Sequence, residues 1–187
     1  MRSLRNADWY LISGSGVVTL ILFTTVVLLG VATANRWRPA RVPRFVTLGL
    51  HRNVALLAVA FLGLHVVTSM LDVYAHVGLA QIFVPMGTTH YSAFLGLGAL
   101  SLDLFLAVVA TSLLRDRLSQ RLWKGVHWLG YASWPVALAH SAGIGTDASA
   151  GWFADVAAAC GAAVGAAIVW RLFGRRRPYP KYLGTTS

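Results

Sequence analysis

HRNVALLAVAFLGLH, residues 51–65, decides the fold. Past Arg52 and Asn53 it is apolar without interruption, and the run extends on both sides to cover 46–71. About 20 apolar residues in a helix cross a hydrocarbon core, so this segment reads as a transmembrane helix with a histidine near each half. Four further runs qualify by the same measure, roughly 11–34, 91–114, 122–143 and 152–173. The segment 75–90 carries His76, Gly78, Pro85, Gly87 and His90, and reads as an interfacial loop or short amphipathic piece. The expected fold class is therefore all-α and integral to the membrane: one five-helix transmembrane bundle spanning residues 1–187.

Composition agrees with that solvent. Of 187 residues 57% are hydrophobic and only 12% charged, too few charges for an ordinary soluble domain. The formal net charge of +10 would suggest nucleic acid in a soluble protein. Here the cations fall in short clusters between apolar runs, so no nucleic-acid partner is expected and the lipid bilayer is. The single cysteine, Cys160, excludes an intramolecular disulfide and a cysteine-cluster metal site, and reads as a packing residue.

Basic residues set the orientation. Arg36, Arg38, Arg41, Arg44 and Arg52 flank the first connection, Arg115, Arg117, Arg121 and Lys124 the third, and Arg171, Arg175, Arg176, Arg177 and Lys181 the C-terminus. By the positive-inside rule these share the cytoplasmic side, with the N-terminus outside. Arg2 and Arg5 argue locally the other way. The N-terminal run lacks a small-residue cleavage site and reads as an anchor. The expected location is the plasma (inner) membrane, crossed several times.

Four of the six histidines form a pattern. His51 and His65 are separated by thirteen residues on the second run, and His127 and His140 by twelve on the fourth. Both runs enter from the cytoplasm, so each depth receives one histidine from each helix: His51 and His127 on the inner side, His65 and His140 on the outer. At about 1.5 Å rise per residue the two levels lie roughly 20 Å apart, room for two porphyrins one above the other. Neutral imidazole is a natural axial ligand for haem iron, and two of them saturate it, which favours electron transfer. The competing readings are helix-packing histidines bonded to neighbouring carbonyls, and zinc, for which each level offers only two ligands. Fourteen positions return to nearly the same helix face; thirteen do not, and Pro135 between His127 and His140 is the expected place for the helix to adjust.

This H-x13-H and H-x12-H arrangement over two helices resembles the ferric reductase-like transmembrane domain, the superfamily of NADPH oxidases, ferric reductases and MsrQ-type haem subunits. The resemblance covers nearly the whole chain. It implies two haem b groups, the inner held by His51 and His127 and the outer by His65 and His140. It implies an oxidoreductase subunit moving electrons across the membrane to an extracytoplasmic acceptor: a redox partner, ferric iron or oxygen. After the last apolar run follows GRRRPYPKYLGTTS, and no G-x-G-x-x-G fingerprint occurs in a strand-to-helix context. The expected electron donor is thus a separate flavoprotein or membrane quinol, with flavin only on that partner. A quinol-linked respiratory cytochrome b subunit is the runner-up, and a small transporter or assembly protein without haem the rival of another class.

Supporting residues follow from chemistry. Haem propionates need cations, and Arg44, Arg52, Arg121 and Lys124 are candidates at the inner level. Trp134, about midway between His127 and His140, could bridge the porphyrins or simply pack. Asp103, central in the third run, is costly when ionised and unpaired, and marks a possible quinone or proton site. His76 and His90 are candidates for acceptor or metal contact, or solvated loop residues. Gly161 and Gly165 form a GxxxG that favours close helix packing.

Overall fold

The computed structural model describes residues 2–35, 43–72, 78–85, 93–144 and 151–173, with the side chains of 2–8 and 44 left aside. His76 and His90 fall outside the described residues, as does the side chain of Arg44. The described residues are helical and contain no strand: α1 (Arg2–Ala34), α2 (Arg44–Leu71), α3 (Leu79–Phe83), α4 (Ala93–Leu113), α5 (Gln120–His127), α6 (Leu129–Ile144) and α7 (Gly151–Phe173), with a 3-10 turn at Arg115–Arg117.

Four of these helices are long and apolar enough to cross a membrane: Trp9–Ala34, Phe45–Leu71, Ala93–Leu113 and Gly151–Phe173. The run over 122–143, read in the sequence as one continuous span, is divided. α5 ends at His127, and α6 begins at Leu129. At the junction the Trp128 amide donates to the carbonyls of both Lys124 and Gly125, and the Tyr131 amide donates to Trp128 across three residues. Pro135 stays inside α6. The irregularity that the thirteen-position interval demands therefore includes a break directly after His127, in addition to the proline. The segment around 75–90 contains the short α3, whose Ile82 is buried against the bundle.

The surface is apolar, as a lipid solvent requires. Leu71 and Leu113 are 75% exposed and Phe173 80%. α2 shows the same character along its length, with Leu56, Leu57, Leu64 and Val67 all exposed. Helix pairing is uneven: α1 lies chiefly along α2, and α4 along α6, while α7 rests on α1. α2 and α6 are not among the extensive pairings, so the two helices that carry the four histidines are held by α1 and α4 and not by each other.

Between the histidine levels the bundle closes on a packed centre. Leu20, Phe23, Val27, Ala58, Phe105, Trp134, Cys160 and Val164 form one buried cluster, with the rings of Phe23 and Phe105 edge to face at 5.1 Å. Cys160 packs here, as its sequence context suggests. Ser101 and Ser133 tie α4 to α6 reciprocally, the Ser133 hydroxyl donating to the Ser101 carbonyl at 2.9 Å and the Ser101 hydroxyl to the Ser133 carbonyl at 3.2 Å. Among the described residues, Cβ atoms built on Gly161 and Gly165 of the α7 GxxxG meet nothing within 4 Å, so no close helix packing at these glycines is seen there.

Candidate cofactor-binding site

The structure brings the four histidines together in the expected two pairs. The rings of His51 and His127 have centroids 6.3 Å apart, and those of His65 and His140 6.5 Å. An imidazole nitrogen lies about 1.1 Å from its ring centroid and bonds a first-row metal at about 2.0–2.1 Å, so two rings sharing one ion in line stand about 6.2–6.4 Å apart. Both levels fit one ion each. Among the described residues no group of three or more His, Cys, Asp or Glu could hold a metal. Two imidazoles per level among the described residues would suit a haem, whose macrocycle would supply the remaining positions.

Three of the four rings are anchored in the same way. Nδ1 of His51 bonds the Val26 carbonyl at 3.1 Å, Nδ1 of His65 the Ile12 carbonyl at 3.1 Å, and Nδ1 of His140 the Phe94 carbonyl at 2.8 Å. A carbonyl can only accept, so in each case Nδ1 carries the proton and Nε2 is left with its lone pair. That is the arrangement in which a second-shell carbonyl sets the tautomer and plane of a metal-binding imidazole. These carbonyls belong to helices and are ordinarily covered. A helical side chain lies back over the preceding turn, so the residue four positions later shields each of them. At all three places that residue is glycine: Gly30 after Val26, Gly16 after Ile12, and Gly98 after Phe94. A Cβ on Gly98 would lie 2.6 Å from His140 Cε1, on Gly16 3.1 Å from His65 Cε1, and on Gly30 3.5 Å from His51 Cε1.

His127 differs. Its Nδ1 is buried with no hydrogen-bond partner among the described residues. Its ring instead stacks on Trp123 at 5.1 Å, and the Arg115 guanidinium lies over that indole at 4.6 Å. A buried nitrogen left without a partner costs about 1–3 kcal/mol.

Of the cations expected at the inner level, the side chain of Arg44 lies outside the described residues. Arg52, Arg121 and Lys124 are all exposed. Arg171, at the end of α7, is half-buried: its Nη1 donates to the Tyr131 hydroxyl at 2.8 Å, and its guanidinium lies 4.7 Å from the Trp128 ring and 5.2 Å from the Tyr131 ring. Tyr131 in turn comes within 4.0 Å of a Cβ built on Gly30, beside His51. Trp134 is 6% exposed in the central cluster, and its Nε1 donates to Thr24 Oγ1 at 2.9 Å. Asp103 is half-buried on α4, two residues from Ser101 and so on a different side of the helix from the Ser101–Ser133 tie.

Sequence reading alone missed Gly16, Gly30, Gly98, Arg171 and Tyr131. A signal for the first two was present: Gly16 and Gly30 on α1 are separated by thirteen residues, as are His51 and His65 on α2. Two helices running antiparallel with matched intervals make matched contacts. No curated protein and no solved structure matches the chain. The family described as ferric reductase like transmembrane component matches residues 15–138, a stretch that holds His51, His65 and His127 and ends two residues before His140. Covering well over half of the chain, that match identifies it as a member of the ferric reductase-like transmembrane family, a membrane electron-transfer component.

Proposed function

We propose that the protein is a di-haem b-type cytochrome that carries electrons across the plasma membrane from a separate cytoplasmic flavoprotein or membrane quinol to an extracytoplasmic acceptor. The inner haem takes His51 and His127 and the outer haem His65 and His140. In this reading α5 and α6 together make the fourth of five crossings, the N-terminus is outside and the C-terminus cytoplasmic. The observation that supports it is the two imidazole couples, 6.3 and 6.5 Å between centroids, with three Nδ1 atoms on backbone carbonyls.

Bound there, haem supplies a reversible one-electron couple whose potential follows its ligands and surroundings. The residues of the chain do the rest. Two imidazoles per level would hold each iron from the chain's side, which suits electron transfer. Phe23, Phe105 and Trp134 fill the space between levels and exclude water from the path. Arg171, steadied by Tyr131 and Trp128, offers a cation to a propionate at the inner level. Ferric iron, oxygen or a redox protein would be the acceptor at the outer level.

The test is an optical spectrum and haem count on the purified protein. Low-spin six-coordinate b-type bands with two haems per chain are expected. His51→Ala and His65→Ala should each remove one haem, and not the same one; a colourless protein made with ample haem sinks the reading. Reduction by a quinol compared with a flavin reductase decides the donor.

A further inference from the structure

Resting on that di-haem reading, we propose that the inner level carries a quinol seat, in which Nδ1 of His127 and Nε1 of Trp123 donate to an oxygen of a membrane quinol. The electron donor is then a quinol and not a flavoprotein. The reaction balances within the parts named: the quinol becomes a quinone, its two electrons pass singly to ferric iron at the inner level and onward, and its two protons go to the cytoplasmic water. His51 and His127 both stay in place throughout.

Three of the four Nδ1 atoms are already taken, those of His51, His65 and His140, each by a backbone carbonyl. Nδ1 of His127 is buried without a partner among the described residues, and so is Nε1 of Trp123, about one turn earlier on α5. With Nε2 turned to the metal, Nδ1 of His127 carries the proton, and an indole nitrogen is a donor only. The two rings stack at 5.1 Å. Two buried donors therefore belong to neighbouring rings, and neither can serve the other. Buried donors are costly to leave unmet, so an acceptor from outside the described residues is called for.

The surroundings select that acceptor. The Arg115 guanidinium lies over the Trp123 indole at 4.6 Å, a cation that favours an oxygen gaining negative charge as its proton leaves. No residue of α5 is buried, so this short helix lies at the rim of the bundle. Leu122 and Trp128, the chain neighbours of Trp123 and His127, are exposed, as is Leu114 beside Arg115. An apolar rim around two donors and a cation suits a ligand with a polar head and a hydrocarbon tail that arrives through lipid. A hydrogen bond to His127 also puts that ligand one imidazole away from the metal. At the outer level both Nδ1 atoms are occupied, so no equivalent seat exists there among the described residues.

The test uses heptylhydroxyquinoline N-oxide, a fluorescent quinol analogue whose emission a nearby haem quenches, added to the purified two-haem protein. One equivalent bound per chain is expected, together with reduction of the haems by decylubiquinol or menadiol. Trp123→Phe keeps a ring for the stack and removes one donor, so affinity for the analogue should fall about 2–12-fold with both haems retained. Trp152→Phe, at the opposite end of α7 from Arg171, should bind as the parent does. No quenching with both haems present is the outcome if a water or a haem carboxylate fills the seat, and it would overturn the proposal. So would unchanged affinity in a folded Trp123→Phe protein, equal weakening by Trp152→Phe, or reduction by a flavin reductase but by neither quinol. Absence of haem altogether would instead defeat the di-haem reading itself, so the two failures are distinct. The parent measurement needs no variant to fold.

Discussion

The outer and inner histidine levels use the same residue types at nearly the same spacing, yet they are held differently. At the outer level both rings rest on a carbonyl bared by glycine, Ile12 with Gly16 and Phe94 with Gly98. At the inner level only His51 has such a seat; the His127 ring stacks on the Trp123 indole and its buried Nδ1 has no partner among the described residues. The ligands are thus positioned less by the helix that carries them than by the helix they lean on. α2 and α6 do not pack extensively together; α1 and α4 supply the carbonyls, and the glycines make those carbonyls reachable. A histidine can be present at the right interval and still lack such a seat.

The sharpest way to break the comparison is to spoil a seat without touching a ligand. Gly98→Ala puts a methyl 2.6 Å from His140 Cε1, closer than real Cβ contacts allow, so the imidazole must leave the Phe94 carbonyl. Outer-haem retention should fall by about 10–100-fold while the inner haem is kept. Gly16→Ala, at 3.1 Å from His65, should cost the outer haem less, and Gly30→Ala, at 3.5 Å from His51, should be close to neutral because that is ordinary contact. Haem titration of the three proteins checks the ranking. A flat series would mean that the glycines are incidental to the ligands.

Much of this was legible in the residues. Hydropathy placed the four long helices, the four histidines were paired and levelled by interval alone, and the family followed from the same spacing. The broken fourth run was not, because hydropathy averages over 122–143 and does not register the Trp128 amide shared between the Lys124 and Gly125 carbonyls. Arg171 was missed for another reason. Arg52 is next to His51 in sequence but about 100° around the helix from it, and it is exposed, whereas Arg171 arrives from a helix distant in sequence. The glycine seats depend on antiparallel register between helices, which an interval on one helix shows only when its neighbour is known.

Arg171 sharpens the comparison from the inner side. Replacing it by glutamine removes a cation from beside Tyr131, Trp128 and the inner level while leaving a hydrogen-bond donor for the tyrosine hydroxyl. Loss of positive charge favours the oxidised centre. The inner potential should fall, and by more than the outer, since the levels are roughly 20 Å apart and the effect declines with distance. A redox titration resolving two haems reads this directly; equal shifts at both would place Arg171 away from the inner group.

Trp134 should give the smallest effect, and it separates packing from conduction. Trp134→Phe keeps most of the buried aromatic volume and removes the Nε1–H bond to Thr24, worth about 0.5–1.5 kcal/mol. Thr24 is not orphaned by the change, because its hydroxyl already donates to the Leu20 carbonyl at 2.8 Å. Both haems should therefore remain, with both seats on α1 undisturbed, and thermal stability should drop slightly. If the indole serves only as packing, electron transfer between the levels keeps its rate in this variant. If it lies on the electron path, the inter-haem rate falls although neither haem nor fold has changed. Flash-induced transfer between the two centres would show which, because an effect on the rate alone has no explanation in the seats.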